Sequence, residues 1–454
     1  MAFIKPDECA RWTDGVWSRK PICDMTGVSH DTRTTNEGEL YISIVGERCD
    51  GHDFVRQAFE HGAAAAMVAS SFSGESEWPL LRVADTRRAL RDLACAYRNC
   101  LTGTIFAVTG SVGKTTVKEM LAGMLARLGP TSATKGNWNN DIGLPLSLLA
   151  MGRDDMFGVF EVAMNAPGEI AALCEILQPG RGVMTSVGLA HCARFDGASG
   201  IAREKAAMLR ALPADGFAVL AGDEEWSELF CGSTVARTVT VAMSGAADYT
   251  AETDDAGRLV IRYSEESFRC TLPLPGRHIQ RDALLAAAAA IESGVGAKVV
   301  VDALENMTLP PMRWERISVG GVDFINDAYN ANPLSMNAAI ETFAETDVSG
   351  RRWLVLGGMR ELGAVSHKAH FALGGVVLNH ADFLVAVGVD ASVIVEGACA
   401  AGFEKARMFE CEAAEDAAEL LAQSTERGDA VLLKASRAEG LEGVINEFQK
   451  IRND

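Results

Sequence analysis

Residues 104–128 read Thr-Ile-Phe-Ala-Val-Thr-Gly-Ser-Val-Gly-Lys-Thr-Thr-Val-Lys-Glu-Met-Leu-Ala-Gly-Met-Leu-Ala-Arg-Leu. This stretch decides the fold. Residues 104–108 are a short apolar strand. Val117, Met120, Leu121, Met124, Leu125 and Leu128 fall at i, i+3, i+4, i+7, i+8 and i+11, the period of a helix with one apolar face. Between strand and helix sits Thr109-Gly110-Ser111-Val112-Gly113-Lys114-Thr115-Thr116. A glycine turn in that position aims successive backbone N–H groups, and the positive end of the helix, at an anion. Lys114 can reach β- and γ-phosphates, and the Thr115 hydroxyl can ligate Mg²⁺. The full phosphate-loop pattern also wants a glycine where this chain has Val108, so this is a shortened loop with Gly110 and Gly113 alone.

Outward from the loop, strands are expected at 158–162, 182–187 and 217–220, with helices between them. That alternation predicts an α/β fold with a doubly wound, mostly parallel sheet. Turn-like residues 254–257 and 264–267 divide strand-like runs between 249 and 274, which reads as a small antiparallel insertion. On the N-terminal side, 39–45 and 63–69 read as strands. Phe54, Ala58 and Phe59 follow helical spacing, and 87–97 reads as a helix. A new unit begins around 101–104. A third begins near Pro310-Pro311, with strands expected at 322–325, 353–356, 383–387 and 430–433.

Composition bounds the rest. A chain of 454 residues has room for two to four domains. Apolar residues make up 48% and charged residues 23%, enough for more than one core and against disorder as the main state. The net charge of −19 repels polyphosphate backbones, so nucleic acid is not an expected partner. Eleven cysteines lie scattered without a CxxC pair, which reads as reduced thiols and a cytoplasmic location. The charged N-terminus is not a signal sequence. The longest strongly apolar run, 283–291, is too short to span a bilayer.

Polar residues near strand ends are the next candidates, because open α/β sheets bind ligands there. Glu161 closes one strand, and a carboxylate beside a phosphate site is a natural Mg²⁺ ligand; a merely solvated glutamate is the plainer alternative. His191 follows the next strand, and a lone histidine there is more often structural than a ligand. Lys205 shares the apolar face of Ile201, Met208, Leu209 and Leu212. It either snorkels to solvent or is held neutral by burial, in which case its amine could take up CO₂ as a carbamate. In the third unit, Asp327 ends a strand and Tyr329, Asn330 and Asn332 follow on the loop. Asn332 with Pro333 is helix-capping chemistry, which does not account for Asp327, Tyr329 and Asn330 together.

These motifs resemble the Mur ligase family of ATP-dependent amide ligases. The shortened Thr-Gly-x-x-Gly-Lys-Thr-Thr loop is that family's form, and residues 327–336 with Ala338-Ala339 match its Asp-x-Tyr-Asn-Ala-Asn-Pro-x-Ser-Met signature. Asp31-Thr32-Arg33 and residues 46–52 look like its UDP-sugar domain. Residues 355–363 and Lys434-Ala435-Ser436-Arg437 look like its last domain. The resemblance implies three domains: 1–100 binding a UDP-muramoyl peptide, 101–310 binding ATP, and 311–454 as a Rossmann-like ligase domain. It implies ATP and Mg²⁺ as cofactors. The reaction it implies joins D-alanyl-D-alanine to the terminal carboxylate of UDP-N-acetylmuramoyl-tripeptide through an acyl phosphate, in a monomer. By matching position, Gly110, Ser111, Val112, Gly113, Lys114, Thr115 and Thr116 cradle the phosphates. Thr115, Glu161 and His191 hold metal. Lys205 matches a lysine carbamylated in many relatives, and Lys114, Lys205 and His191 form the catalytic set. Arg313 and Asp327 reach the nucleotide from the last domain. Asp31, Arg33, Tyr329, Asn330 and Asn332 are expected to bind substrate.

The chain also departs from the pattern. Two asparagines of a His-Asn-x-x-Asn segment appear as Ile279 and Asp282, after His278. Asp282 as a carboxylate could accept from an adenine amino group but not donate. Ser186, Gly358 and Ala435 replace a family Asn, Asp and Gly. Three other readings follow from the same residues: a sister ligase adding an amino acid or a folate glutamate, a phosphate-loop switch or motor that hydrolyses ATP alone, and a relative that binds nucleotide without turnover.

Overall fold

The structure is a computed structural model that describes residues 4–74, 77–188 and 194–453. Three sheets follow one another along the chain. The first comprises β1 (Val16–Trp17), β2 (Val28–Ser29), β3 (Leu40–Ile42), β4 (Ala65–Ala69) and β5 (Leu80–Val83), in the order β1-β5-β4-β3-β2. Only its β1–β5 pair is antiparallel.

The central sheet holds β6 (Thr104–Thr109), β7 (Thr131–Ala133), β8 (Phe157–Glu161), β9 (Arg181–Met184), β10 (Phe217–Ala221), β11 (Arg237–Ala242), β12 (Tyr249–Thr253), β13 (Leu259–Tyr263) and β14 (Glu266–Cys270). Its order is β14-β13-β12-β11-β10-β9-β6-β8-β7. From β7 to β12 every pairing is parallel, while β12–β13 and β13–β14 are antiparallel. The antiparallel segment read from the turns at 254–257 and 264–267 is therefore the far edge of the central sheet. Strand β6 lies between β8 and β9, deep in the sheet, which accounts for its unbroken run of apolar residues. The loop after it emerges where the strand order reverses, the position at which doubly wound sheets bind ligands.

The third sheet contains β15 (Glu315–Val319), β16 (Val322–Asn326), β17 (Arg352–Gly357), β18 (Phe383–Val387), β19 (Met408–Cys411) and β20 (Ala430–Lys434), ordered β15-β16-β20-β17-β18-β19. Apart from the β15–β16 hairpin it is parallel.

Packing joins the units unequally. The helix Thr86–Arg98 buries Leu90, Leu93 and Tyr97 in a core that runs on into Leu144, Leu148, Ile170 and Leu173 of the central unit. The Tyr97 hydroxyl donates to the Met151 carbonyl at 2.7 Å, and the Arg98 Nε to the Leu177 carbonyl at 2.7 Å. The third unit encloses cores of its own on the two faces of its sheet. The phosphate-loop helix, Lys114–Leu125, packs Val117, Met120, Leu121, Met124 and Leu125 into the core as the spacing requires. Leu128 does not join them and is exposed. Gly129-Pro130 ends the helix a turn early, since the residue before a proline is pushed out of helical geometry. The strand expected at 182–187 stops at Met184, because Ser186 instead gives its carbonyl to Ser111 N at 2.7 Å. Among the described residues, no helix is long and apolar enough to cross a membrane.

Candidate functional site

The loop between β6 and its helix is shaped by two glycines that nothing else could replace. Gly110 has φ 153°, and a Cβ there would sit 1.8 Å from Thr185 Oγ1. Gly113, at the helix N-cap, has φ 87°, and a Cβ would sit 2.3 Å from Asp282 Oδ1. Both positions need a residue without a side chain. Ser111 Oγ donates to the Gly188 carbonyl at 2.9 Å and Thr185 Oγ1 to the Val112 carbonyl at 2.5 Å, which fixes the loop against the segment after β9. Lys114 Nζ folds back onto the Gly110 carbonyl at 2.8 Å. Burial lowers its pKa, opposed by the field of Glu161.

The loop opens into a cleft of about 410 Å³ between the central and third units. Ser111, Val112, Gly113, Lys114, Thr115, Thr116, Glu161 and Asp282 line its central side; Arg313, Asp327, Tyr329, Asn330 and Asn332 line the other. Most of the residues singled out from sequence are thus brought to one place. A larger cavity, about 700 Å³, lies at the opposite end of the central sheet. Its Arg98 and Arg181 donate to backbone carbonyls, which satisfies them within the fold.

Glu161 ends β8 and is 1% exposed. Its Oε2 accepts from Asn139 Nδ2 at 3.2 Å, while Oε1 is buried with no partner. A solvated strand-end glutamate is therefore excluded. An orphaned carboxylate oxygen in a cleft shared with the Thr115 hydroxyl fits a hard divalent cation such as Mg²⁺.

Lys205 is 3% exposed on the face of Ile201, Met208 and Leu209, so it does not snorkel. Its Nζ donates to the Gly110 carbonyl at 2.9 Å, the same acceptor that Lys114 uses. Burial, and then the neighbouring Lys114 charge, hold its pKa well below the usual lysine value. It sits behind the loop rather than among the residues lining the cleft. His191 lies outside the described residues.

The third unit reaches across through Arg313. Its guanidinium donates to Thr115 Oγ1 at 2.9 Å and lies 4.3 Å over the Tyr329 ring centroid. Asp327 is engaged within its own unit: Oδ1 accepts from Trp314 N at 3.2 Å and Oδ2 from Lys434 Nζ at 2.5 Å. Asn332 caps the helix Pro333–Glu345 by accepting from Ser335 N at 2.9 Å, and Ser335 Oγ accepts from Asn332 N in return. His278 faces the Asp327–Lys434 pair from the central side, and burial lowers its pKa to about 4. Asp282 has the opposite response: burial raises its carboxyl to about 7, against Arg281 and Arg313. Near neutrality a substantial fraction is protonated, so the side chain can donate as well as accept, contrary to the expectation for a carboxylate.

Asp31 and Arg33 do not line this cleft. They pair with each other in the first unit at 2.6 Å, and the Arg33 hydrogen bond holds Asp31 at about 2. Sequence reasoning missed Asn137, Asn139 and Asn140, which line the cleft, and Lys434, which it quoted without assigning a role. The signal was present: three asparagines in Asn137-Trp138-Asn139-Asn140 just before a helix. Asn140 caps that turn by accepting from Gly143 N at 2.8 Å, which leaves Asn137 and Asn139 for the cleft.

Comparison with known proteins points the same way. Residues 24–98 match the model described as Mur ligase family, catalytic domain; residues 108–290 match Mur ligase middle domain; residues 312–437 match Mur ligase, glutamate ligase domain. The chain is 35% identical over 429 residues to UDP-N-acetylmuramoyl-tripeptide–D-alanyl-D-alanine ligase of Bacillus subtilis, covering 93% of each chain. A crystal structure of MurF from Acinetobacter baumannii superposes with a TM-score of 0.88 at 29% identity over 99% of both chains. MurF from Thermotoga maritima in complex with ADP gives 0.81 at 27% identity, over 94% of this chain and 98% of that one.

Proposed function

The chain belongs to the Mur ligase family, and from that premise we infer how its own residues carry the reaction. It is an ATP-dependent ligase that joins D-alanyl-D-alanine to the terminal carboxylate of UDP-N-acetylmuramoyl-tripeptide. The chemistry has two steps. A carboxylate oxygen of the tripeptide attacks the γ-phosphorus of ATP, and ADP leaves. The dipeptide amine then attacks the acyl phosphate carbonyl, and inorganic phosphate leaves. Sister ligases that add a single amino acid or a folate glutamate share the fold; a folylpolyglutamate synthase superposes at 0.63 with 18% identity, a likeness of fold alone.

The observation that carries the residue assignment is the pairing of the glycine loop with the orphaned Glu161 oxygen in one cleft walled by the third unit. The first step brings two anions together. The Lys114 ammonium and the loop amides offset that repulsion. Thr115 and Glu161 would hold Mg²⁺, which when bound neutralises charge developing on the phosphoryl oxygens. His191 enters that ligand set from the family pattern. Lys205, held toward its neutral form, is suited to take up CO₂, and the anionic carbamate would then contribute oxygen ligands. Arg313 brings a second positive charge from the third unit. Asp327 holds Lys434 and the Met312–Trp314 turn in place, and so orients what reaches the nucleotide from that side. Asp31 and Arg33, in the first unit, are assigned to the UDP-linked substrate. The ten described cysteines are free thiols, which supports a reducing, cytoplasmic location.

The test is phosphate release from Mg·ATP with each substrate alone and with both, together with mass analysis of the product. Release that requires both, with pentapeptide formed, is expected. Release without either would replace the ligase by a switch or motor. ATP binding without release would identify a degenerate relative.

A further inference from the structure

We propose that Tyr329 is the positioning residue of Arg313, its ring face holding that guanidinium across the gap between the third and central units. This rests on the reading of the cleft as a nucleotide site. Arg313 lies between Met312 at φ 62° and Trp314 at φ 56°. Two bulky left-handed residues flanking one arginine are a strained arrangement that persists only where surrounding contacts impose it. Those contacts are present. Met312 N donates to Glu315 Oε2 at 2.9 Å, Trp314 N to Asp327 Oδ1 at 3.2 Å, and Tyr329 N to the Met312 carbonyl at 3.2 Å. Tyr329 therefore grips the turn by its backbone and the arginine by its side chain.

The arginine itself is held by little else. Its terminal nitrogen reaches Thr115 Oγ1 at 2.9 Å, its Nε is buried with no hydrogen-bond partner, and among the described residues no carboxylate lies within ion-pair distance of it. Arg313 acts on the Asp282 carboxyl without closing an ion pair with it, and a partly desolvated guanidinium so placed gains from the negative face of an aromatic ring. The 4.3 Å separation from the Tyr329 centroid is close contact of that kind. Without the ring, the long side chain has several rotamers that miss the loop. The role differs from the substrate contact expected of Tyr329 from sequence, because it acts on the nucleotide end of the cleft and through the ring.

The experiment measures the dissociation constant of a non-hydrolysable Mg·ATP analogue by calorimetry, for the parent, Tyr329→Phe, Tyr329→Leu, Arg313→Ala and the Tyr329→Leu/Arg313→Ala double variant. The KM for D-alanyl-D-alanine is measured alongside. Tyr329→Leu is expected to weaken the analogue on the order of tenfold. Tyr329→Phe, which keeps the ring, is expected to restore affinity to within about threefold of the parent. In the double variant the loss should equal that of Arg313→Ala alone, the signature of one residue acting through another. The proposal is overturned if Tyr329→Phe loses as much as Tyr329→Leu, or if the two losses add. It is also overturned if dipeptide KM rises while analogue binding is unchanged, which would return Tyr329 to a substrate contact. A parent that binds no analogue would overturn the nucleotide reading as well. Tyr329→Phe guards the test against a misfolded Tyr329→Leu protein.

Discussion

Lys205 shows how far a single residue can be read. Its place on the apolar face of a helix was legible from spacing, because burial of one stripe is a local, periodic property. Its acceptor was not, since Gly110 is ninety-five positions away and only the packing of that helix behind the loop joins them. The consequence is testable through linkage. Its folded pKa lies below the unfolded value of 10.5, so the unfolded chain binds the extra proton and Lys205 costs stability at neutral pH, a cost that fades as pH rises toward 10.5. Lys205→Met should therefore melt higher than the parent at pH 7, with the gap narrowing in alkaline buffer, while turnover falls on the order of 100-fold. A gap that is independent of pH would remove the charge from the explanation. Gly110 argues the same scale from sterics. Gly110→Ala places a methyl on Thr185 Oγ1, and we expect a loss of about 1–3 kcal/mol in denaturant unfolding together with loss of nucleotide binding. Unchanged nucleotide affinity in a folded Gly110→Ala protein would show that the loop can relax around the clash.

At the scale of elements, the sequence spoke most clearly where a strand is buried on both faces. The expected 322–325, 353–356, 383–387 and 430–433 coincide with β16, β17, β18 and β20, largely buried apart from Asp323 and parallel except where β16 pairs with β15. It missed the interior strands β5 and β11, and it also missed edge strands: β7 is three residues long and partly exposed, and β15 alternates between exposed and half-buried positions. The edge strands owe their existence to a neighbour's unpaired backbone rather than to their own apolar pattern. The same holds for the polar knot that aligns β17 with β20. Asp429, 2% exposed, accepts from Arg351 N at 2.8 Å, Arg351 Nη2 at 2.9 Å, Trp353 Nε1 at 3.1 Å and Glu426 N at 3.0 Å. Nothing in the local sequence marks it. Asp429→Ala leaves the Trp353 N–H without its acceptor and the partly exposed Arg351 with only the Ser424 carbonyl and Glu426, and should cost about 1–3 kcal/mol. Thermal unfolding would read that loss. Nucleotide affinity, measured well below the melting temperature, should stay near that of the parent, because the knot lies at the far end of the strands from Lys434. A loss under 1 kcal/mol would mean that water replaces the carboxylate.

For the whole molecule the decisive feature is asymmetry between the joins. The first and central units share one continuous apolar core. The third unit meets the central one largely through polar groups: Arg313 on Thr115, Gly276 packed under Thr342 of the helix Pro333–Glu345, and His278 facing the Asp327–Lys434 pair. Polar interfaces of this kind permit relative motion, and the segment at 307–310 that joins the units has no regular structure. Closing the third unit on the other two would assemble the site and exclude water from an acyl phosphate. The histidine gives that closure a pH dependence whose sign is fixed. With the third unit packed against it, its pKa is about 4, against 6.5 when free of its surroundings. Between those values the closed form keeps His278 neutral while an opened form takes up a proton, so acid favours opening. The effect should approach about 2 kcal/mol by pH 4, less than full burial would give because the ring borders an open cleft. Small-angle scattering of the nucleotide-free protein should show the radius of gyration growing as pH falls from 6.5 toward 4. His278→Gln, which keeps a polar side chain but cannot titrate, should flatten that dependence and leave the neutral-pH radius unchanged. An equal expansion in both proteins would assign the acid response to carboxylates elsewhere and leave His278 a bystander at the join.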